Sequence, residues 1–244
     1  MASFRTSAII CSVRPHGEHG AVVRSLTPEN GLMSGYVRGA RSRTMRPVLI
    51  PSNIVQADYR ARTEDQLASM TAELQQSRGP YLGEPLASAA LNWVTALTAG
   101  ILPEEHSYPH LHSALSALLD AICGAPSAKG WAVALVRYEL LLLSELGFGL
   151  ALDKCAVAGS ENDLIYISPK SATAVSAHAG QEYKQSLLPL PPFLKDPGTP
   201  EWDEIFDGLR VTGFFLKRHF FEDRRNDVMA SRSVLVDRLK RVVA

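Results

Sequence analysis

The texture of the chain changes sharply at Pro80, and that change limits the fold more than any other feature. Residues 3–75 form short runs rich in β-branched residues, SFRTSAIICSV, AVVRSLT, GLMSGYVRG, LIPSNIVQADYRA and QLASMTAEL, separated by PHGEHG, PENG, ARSRTMRP and TEDQ. The Gly, Pro, Asn and Asp of the connectors supply turn chemistry, so the pattern predicts five strands closing a small barrel. Gly31, after Pro-Glu-Asn, stands where a hairpin needs positive φ. From Pro80 the chain turns to Ala and Leu, with apolar residues such as Leu111, Leu115, Leu118 and Leu119 at helical spacing. Helical texture runs through residues 80–102, 106–123 and 127–149, and again through 201–221 and 229–242. Between them, residues 149–200 are rich in Gly, Ser and Pro and end in LLPLPPFLKDPGTP, which cannot be helical throughout. The prediction is an α+β chain: a five-stranded barrel domain over 1–79, then an α-helical domain over 80–244 that contains an irregular insertion at 149–200.

The 244 residues are 46% apolar and balance 25 basic against 25 acidic groups, but the balance is not local. Residues 1–80 carry ten basic and six acidic side chains, 81–204 carry six and fourteen, and 205–244 carry nine and five. All ten basic residues of the first segment are arginine. A polyanion responds to local charge rather than to the pI of the whole chain. Cys11, Cys123 and Cys155 are widely spaced and odd in number, which gives neither a CxxC pair nor a disulfide framework. The apolar run before Arg14 is too short for a signal-peptide core, and the apolar stretch 131–152 is interrupted by Arg137, Glu139 and Glu145. A cytosolic, soluble protein with no membrane span is expected.

Enzymatic motifs are absent or incomplete. His16-Gly17-Glu18-His19 has ligand-type residues, but the Pro-Cys-x-x-Cys half that a zinc deaminase needs is missing. His106, His110 and His112, with Glu104 and Glu105 nearby, surround Pro109 and read as a helix start. Cys155 has no second cysteine three residues on, where Ala158 stands. There is no Walker loop, Rossmann glycine pattern or Ser-His-Asp order, and the carboxylate pairs Asp203/Glu204 and Glu222/Asp223 read as solvated. No enzyme, metal or other cofactor is expected; the discarded enzymatic reading would use His16, Glu18 and His19 on a metal.

What remains is arginine. GYVRGARSRTMRP, residues 35–47, holds Arg38, Arg41, Arg43 and Arg46 without a carboxylate. Guanidinium forks match phosphate oxygens. Arg14 and Arg24 lie near strand ends in the same segment, and Tyr36 and Tyr59 offer aromatic surfaces. A cationic track beside an aromatic platform is how oligonucleotide-binding barrels hold single strands. A charged, solvated loop that keeps a sheet edge soluble is the competing explanation.

The motifs also resemble a known family. RPHGEHGAVVRSLTPENGLMSGYVRGARS (14–42), RYELLLLSELGFGLALDKCAVAG (137–159) and SRSVLVDRL (231–239) are similar, in order and spacing, to the Arg-Pro-x-Gly-Glu turn, Gly-Ala-Arg loop, Arg-x-Glu-Leu helix and terminal Ser-Arg helix of the RecO family of bacterial recombination mediators. The resemblance implies an N-terminal OB-fold, a helical C-terminal domain, binding to single- and double-stranded DNA, and annealing of complementary strands. It also implies cooperation with RecR in loading RecA, contact with the C-terminal tail of the single-stranded DNA-binding protein, and a place in the bacterial cytoplasm at the nucleoid. DNA contact is expected at Arg14, Arg24, Arg38, Arg41, Arg43 and Arg46, the loop strengthened by the Gly-Ala-Arg match, and the resemblance points the partner tail at the helical domain, where Arg137, Leu141 and Phe148 are the expected contacts. Arg232 and Arg238 are secondary candidates for DNA contact or for structural ion pairs. Many relatives hold zinc through two CxxC pairs in the insertion; this sequence keeps only Cys155, so a zinc-free insertion is expected. An adaptor that touches proteins alone, without DNA, is the alternative.

Overall fold

A computed structural model describes the chain except for Met1, Arg62, Glu64, Asp65, Ala158, Pro197, residues 223–227 and Ala244; for Ala2 it describes the backbone alone. Asp223 and Ala158, which entered the sequence reading, lie outside the described residues. Two compact units emerge: Met1–Gly124 with Ala230–Val242, and Ala125–Met229 with Val243–Ala244. The predicted domain boundary at residues 79/80 falls within the first of them.

The first unit is built on β1 (Ala2–His16), β2 (Gly20–Thr27), β3 (Gly31–Val37), β4 (Ile54–Ala61) and β5 (Ala68–Gln76). They close a barrel in the order β1-β2-β3-β5-β4, with β4 returning to β1. Closure depends on the length of β1, whose first half pairs with β4 (Ala2↔Ala61 to Ile9↔Ile54) and whose second half pairs with β2 (Ile9↔Leu26 to His16↔Gly20). The strand must bend between its two partners, and a register shift between Ile10 and Ser12 supplies the bend. Cys11 sits in that bulge, 2% exposed, where burial pushes its thiol up to about 12, so it stays protonated and inert. The inward parity of the strands, Ala8, Ile10, Val23, Val37, Val55, Ala57, Tyr59 and Met70, makes the core.

To this unit belong α1 (Pro85–Ile101), α2 (Pro109–Gly124) and the Ala230–Val242 part of α6 (Val228–Val243), with a 3₁₀ turn over Gly79–Gly83 before α1. Trp93, Leu97, Leu111, Leu115, Leu119, Leu235 and Leu239 are their buried residues at helical spacing. Arg232 is 8% exposed and lies over the Trp93 ring at 5.7 Å, while Arg238 donates to the Pro85 carbonyl. Each thus has a partner within this unit.

Gly31 shows how tightly the segment after α1 is fitted. Its φ is +68°, and a Cβ built there would lie 1.7 Å from the His106 carbonyl oxygen, because residues 104–106 run beside β3, with Glu105 N–H donating to Leu32 O at 3.1 Å. Gly31→Ala combines a left-handed backbone with a collision against main chain, and should destabilise the protein by at least about 2 kcal/mol. Equilibrium denaturation checks this; a variant within about 0.5 kcal/mol of wild type would show that residues 104–106 do not rest on β3.

The second unit centres on α3 (Ala128–Glu145) packed on α5 (Trp202–Leu216), which continues as a π-helical turn over Lys217–Phe221. The approach is close, since a Cβ at Gly208 would meet Phe193 and Val136 at 2.9 and 3.1 Å. Glu139, fully buried, accepts a hydrogen bond from the Thr212 hydroxyl across this contact. The insertion folds more regularly than its composition predicts: β6 (Leu164–Ile167), β7 (Ala174–Ser176) and β8 (Leu188–Pro189) form a small sheet in the order β7-β6-β8, with α4 (Ala177–Gly180) after β7. The strands are two to four residues long, below the length at which alternation is legible in sequence. Cys155 is 3% exposed and hydrogen-bonds within this region, accepting from the Ser176 amide at 3.3 Å. No second cysteine stands near it in sequence, so the donor set does not fit zinc. No described helix is long and apolar enough to cross a membrane.

Candidate nucleic-acid interface

Residues 38–53, between β3 and β4, carry the arginine cluster, and they are folded rather than slack. Gly39 takes φ +67°, and Ser42 N–H donates to Gly39 O at 2.9 Å. Ser42 Oγ then accepts from Met45 N–H at 3.2 Å, capping a helical turn in which Arg46 N–H donates to Ser42 O and Leu49 N–H to Met45 O. Asn53 locks the far side: its Nδ2 donates to the Pro47 and Val48 carbonyls at 2.9 and 3.1 Å, and its Oδ1 accepts from Arg78 N–H at 2.8 Å. Ala40 and Leu49, each 6% exposed, enter the barrel core with Met45 and Val48 packed behind them.

The residues between these anchors point the other way. Arg38, Arg41, Arg43 and Arg46 are all exposed, and among the described residues none forms an ion pair or a side-chain hydrogen bond. Four cations on a locked, well-anchored loop are preorganised: little side-chain-bearing backbone has to be ordered before they can meet an anion. Arg14 is exposed near the end of β1 and likewise unpaired among the described residues. Through the register Arg14↔Val22↔Tyr36 it shares an outward row of the β1-β2-β3 sheet with Tyr36.

Two sequence-based assignments change. The Arg24 guanidinium is occupied: Nε lies 3.0 Å from Glu104 Oε1, Nη1 donates to the Ala99 carbonyl and Nη2 reaches Leu102 O at 3.5 Å. It caps the C-terminal end of α1, where orphan carbonyls favour a cation, and is better described as a clamp than as a phosphate ligand. Its local sequence gives no sign of this, because the partners come from residues far along the chain. Tyr59 is 1% exposed, stacked on Phe4 at 5.0 Å between centroids and hydrogen-bonded to Ser25 Oγ; burial raises its hydroxyl to about 12. It is a core residue, unavailable to a nucleobase. Its parity with Val55 and Ala57 along β4 was the signal for the inward side.

A cavity of about 540 Å³ on the same unit is bounded by Phe4, Met33, Tyr59, Leu67, Glu104 and Glu105. Its charged lining is carboxylate, which suits no phosphate backbone. The His16–His19 turn is exposed, with His19 Nε2 3.9 Å from Glu18, and among the described residues no three His, Cys, Asp or Glu side chains gather as a metal site would need.

On the second unit, Arg137 is exposed on α3 and unpaired among the described residues, and Leu141, one turn on, is half-buried. Gly147, at φ +84°, ends α3 and turns the chain so that Phe148, 37% exposed, stacks on His219 at 4.2 Å and meets Phe220 edge-on at 5.3 Å. Burial, with Arg218 nearby, holds the His219 imidazole below its ordinary pKa and favours the neutral ring. This unit thus carries an exposed cation on α3 and an aromatic cluster past the end of that helix.

Comparison with known proteins agrees with the resemblance. Residues 1–78 match the family model for the N-terminal part of recombination protein O, and residues 82–227 match the one for its C-terminal part. Among curated proteins, the chain is 42% identical to DNA repair protein RecO of Rhodospirillum centenum, covering 96% of this chain and 93% of the relative. It is 43% identical to the protein of the same name from Caulobacter sp. strain K31, covering 95% of each, and 44% identical to that of Ruegeria sp. strain TM1040, covering 88% of each.

Proposed function

The chain belongs to the RecO family, and from that premise we propose that it is a DNA-binding mediator of recombinational repair. It binds single- and double-stranded DNA through the barrel unit and anneals complementary strands. With RecR and the single-stranded DNA-binding protein it helps to load RecA, in the bacterial cytoplasm at the nucleoid. The observation that carries the reading is the locked loop at 38–53, with its apolar side in the barrel core and Arg38, Arg41, Arg43 and Arg46 outside and unpaired among the described residues. The Ser42 and Asn53 locks hold the four guanidinium groups on a fixed backbone.

Annealing follows from charge. A cationic surface that neutralises phosphates releases condensed counterions and lowers the repulsion between two backbones, while base edges stay open to pair. Annealing makes or breaks no covalent bond, so it requires no catalytic group. Direction toward coated strands would come from Arg137, Leu141 and Phe148: the cation for the carboxylates of an acidic tail, the apolar surface for its terminal side chain.

The test is annealing of complementary strands coated with the single-stranded DNA-binding protein, with and without its C-terminal tail. Wild type should anneal tailed complexes faster than tailless ones. Arg137→Ala should erase that difference, weakening binding of the tail peptide about tenfold, as expected for one charge-assisted contact, while annealing of naked strands is unchanged. Equal rates for Arg137→Ala and wild type on tailed complexes would remove Arg137 from the role; no annealing of naked strands by wild type would favour a protein-only adaptor.

A further inference from the structure

The outward face of β1-β2-β3 is divided into two rows, and they meet different fates. The row Ser12↔Arg24↔Ser34 is covered: Arg24 is held by the end of α1, Ser34 Oγ donates to Glu104 at 2.7 Å, and Leu32 bridges to Glu104. The row Arg14↔Val22↔Tyr36 stays open, with Arg14 exposed and Val22 and Tyr36 half-buried. The open row ends on β3 at Tyr36, two residues before Arg38 and the arginine loop.

Tyr36 is fitted to that row in an unusual way. Its ring lies over Gly20, where an added Cβ would meet the hydroxyl oxygen at 2.2 Å and ring carbons at 2.4 Å, so only glycine lets the ring settle there. His16, the cross-strand partner of Gly20, meets the ring edge-on at 5.9 Å between centroids. Supported from below by glycine and from the side by histidine, the ring keeps a partly exposed surface on the outward face of the sheet, whereas Tyr59 on the inward face is buried. Arg14 stands in the same row two strands away, and Arg38 follows Tyr36 by two residues just past the end of β3, so exposed cations lie both across the sheet and along the chain from the ring.

We propose that Tyr36, seated on Gly20 and braced by His16, is a stacking platform for an unpaired nucleobase, and that it gives the barrel a preference for single strands over duplex. This rests on the DNA-binding reading above and assigns to it a base-contacting residue. A base inside a duplex is already stacked on both faces and cannot reach the ring; an unpaired base can, with its flanking phosphates meeting Arg14 and Arg38.

The test uses full-length protein and three fluorescent probes with equal numbers of phosphates per strand: an oligothymidylate, its abasic counterpart and a duplex. Wild type should bind the oligothymidylate roughly tenfold more tightly than the abasic strand, as one base–aromatic stack warrants. Tyr36→Ala and Tyr36→Leu should lose that preference and keep the salt dependence, while Tyr36→Phe retains both. Leu fills the seat on Gly20 without a π face, so its loss with an unchanged thermal melt separates stacking from packing. A preference that survives Tyr36→Leu, or equal binding of thymidylate and abasic strands by wild type, overturns the platform while leaving phosphate binding intact. If wild type binds none of the three probes, the DNA-binding reading fails and the platform with it.

Discussion

Changing Arg41, Arg43 and Arg46 together to Ala should weaken single-stranded DNA binding roughly 100-fold at about 0.1 M salt, since each lost phosphate contact on a single strand costs about 0.7 in log–log slope. At that salt each contact is worth about fivefold, and three multiply. The fold should not notice. The three guanidinium groups are exposed and unpaired among the described residues, and the bonds that lock the loop come from Ser42, Asn53 and the backbone, all of which an alanine leaves in place. Thermal melting of the variant should therefore match wild type, which makes a lost affinity attributable to charge.

The second large effect concerns stability, and it falls on an arginine of the opposite kind. Arg78 follows β5 and is 1% exposed; its Nη2 lies 2.6 Å from Asp120 of α2, and Nη1 donates to the Ser52 carbonyl at 2.5 Å. Ser52 itself holds φ +81° at the exit of the arginine loop, and its N–H donates to Ile10 O in the β1 bulge. One side chain thus ties β1, the loop exit and α2 together. Arg78→Ala leaves a cavity, an orphaned buried carbonyl and a strained Ser52, and should cost about 3 kcal/mol. Arg78→Met keeps most of the volume and should cost less. Asp120 is about half exposed, so water can solvate its freed carboxylate, and the pair deserves less than the full penalty for a broken buried ion pair. Chemical denaturation of the two variants checks the order; equal stability of Arg78→Ala and wild type would show that the loop exit is held by its backbone bonds alone.

Much of the barrel is readable from local chemistry. PHGEHG and PENG announce tight hairpins, and alternation in AVVRSLT and GLMSGYV sets which side faces the core. Reading LIPSNIVQADYRA as one strand goes astray at Leu49–Asn53 because Leu49 is apolar for a different reason: it plugs the barrel end, and the chain turns at Ser52 and Asn53 before β4 begins at Ile54. The helices announce themselves through Leu and Ala at spacings of three and four, whereas the short strands of the insertion do not reach the length at which a period can be seen.

The candidate interface is half legible by the same measure. Arg38, Arg41, Arg43 and Arg46 stand out as unpaired charge in sequence and remain so in the structure. Arg24 and Arg78 look no different in sequence, yet one is consumed by the end of α1 and the other is buried against Asp120, because their partners lie 75 and 42 residues further along the chain. Tyr36 and Tyr59 likewise read alike until strand parity and the position of Gly20 separate a surface ring from a core ring.

Whether phosphates meet the arginine loop is tested most directly by the salt dependence of binding. Anisotropy of a labelled oligothymidylate from low to moderate salt should give a log–log slope of roughly −3 to −4 for wild type, and one shallower by about 2 for the Arg41/Arg43/Arg46 triple alanine variant. Equal slopes for the two proteins would contradict that contact and place the phosphate contacts on some other surface.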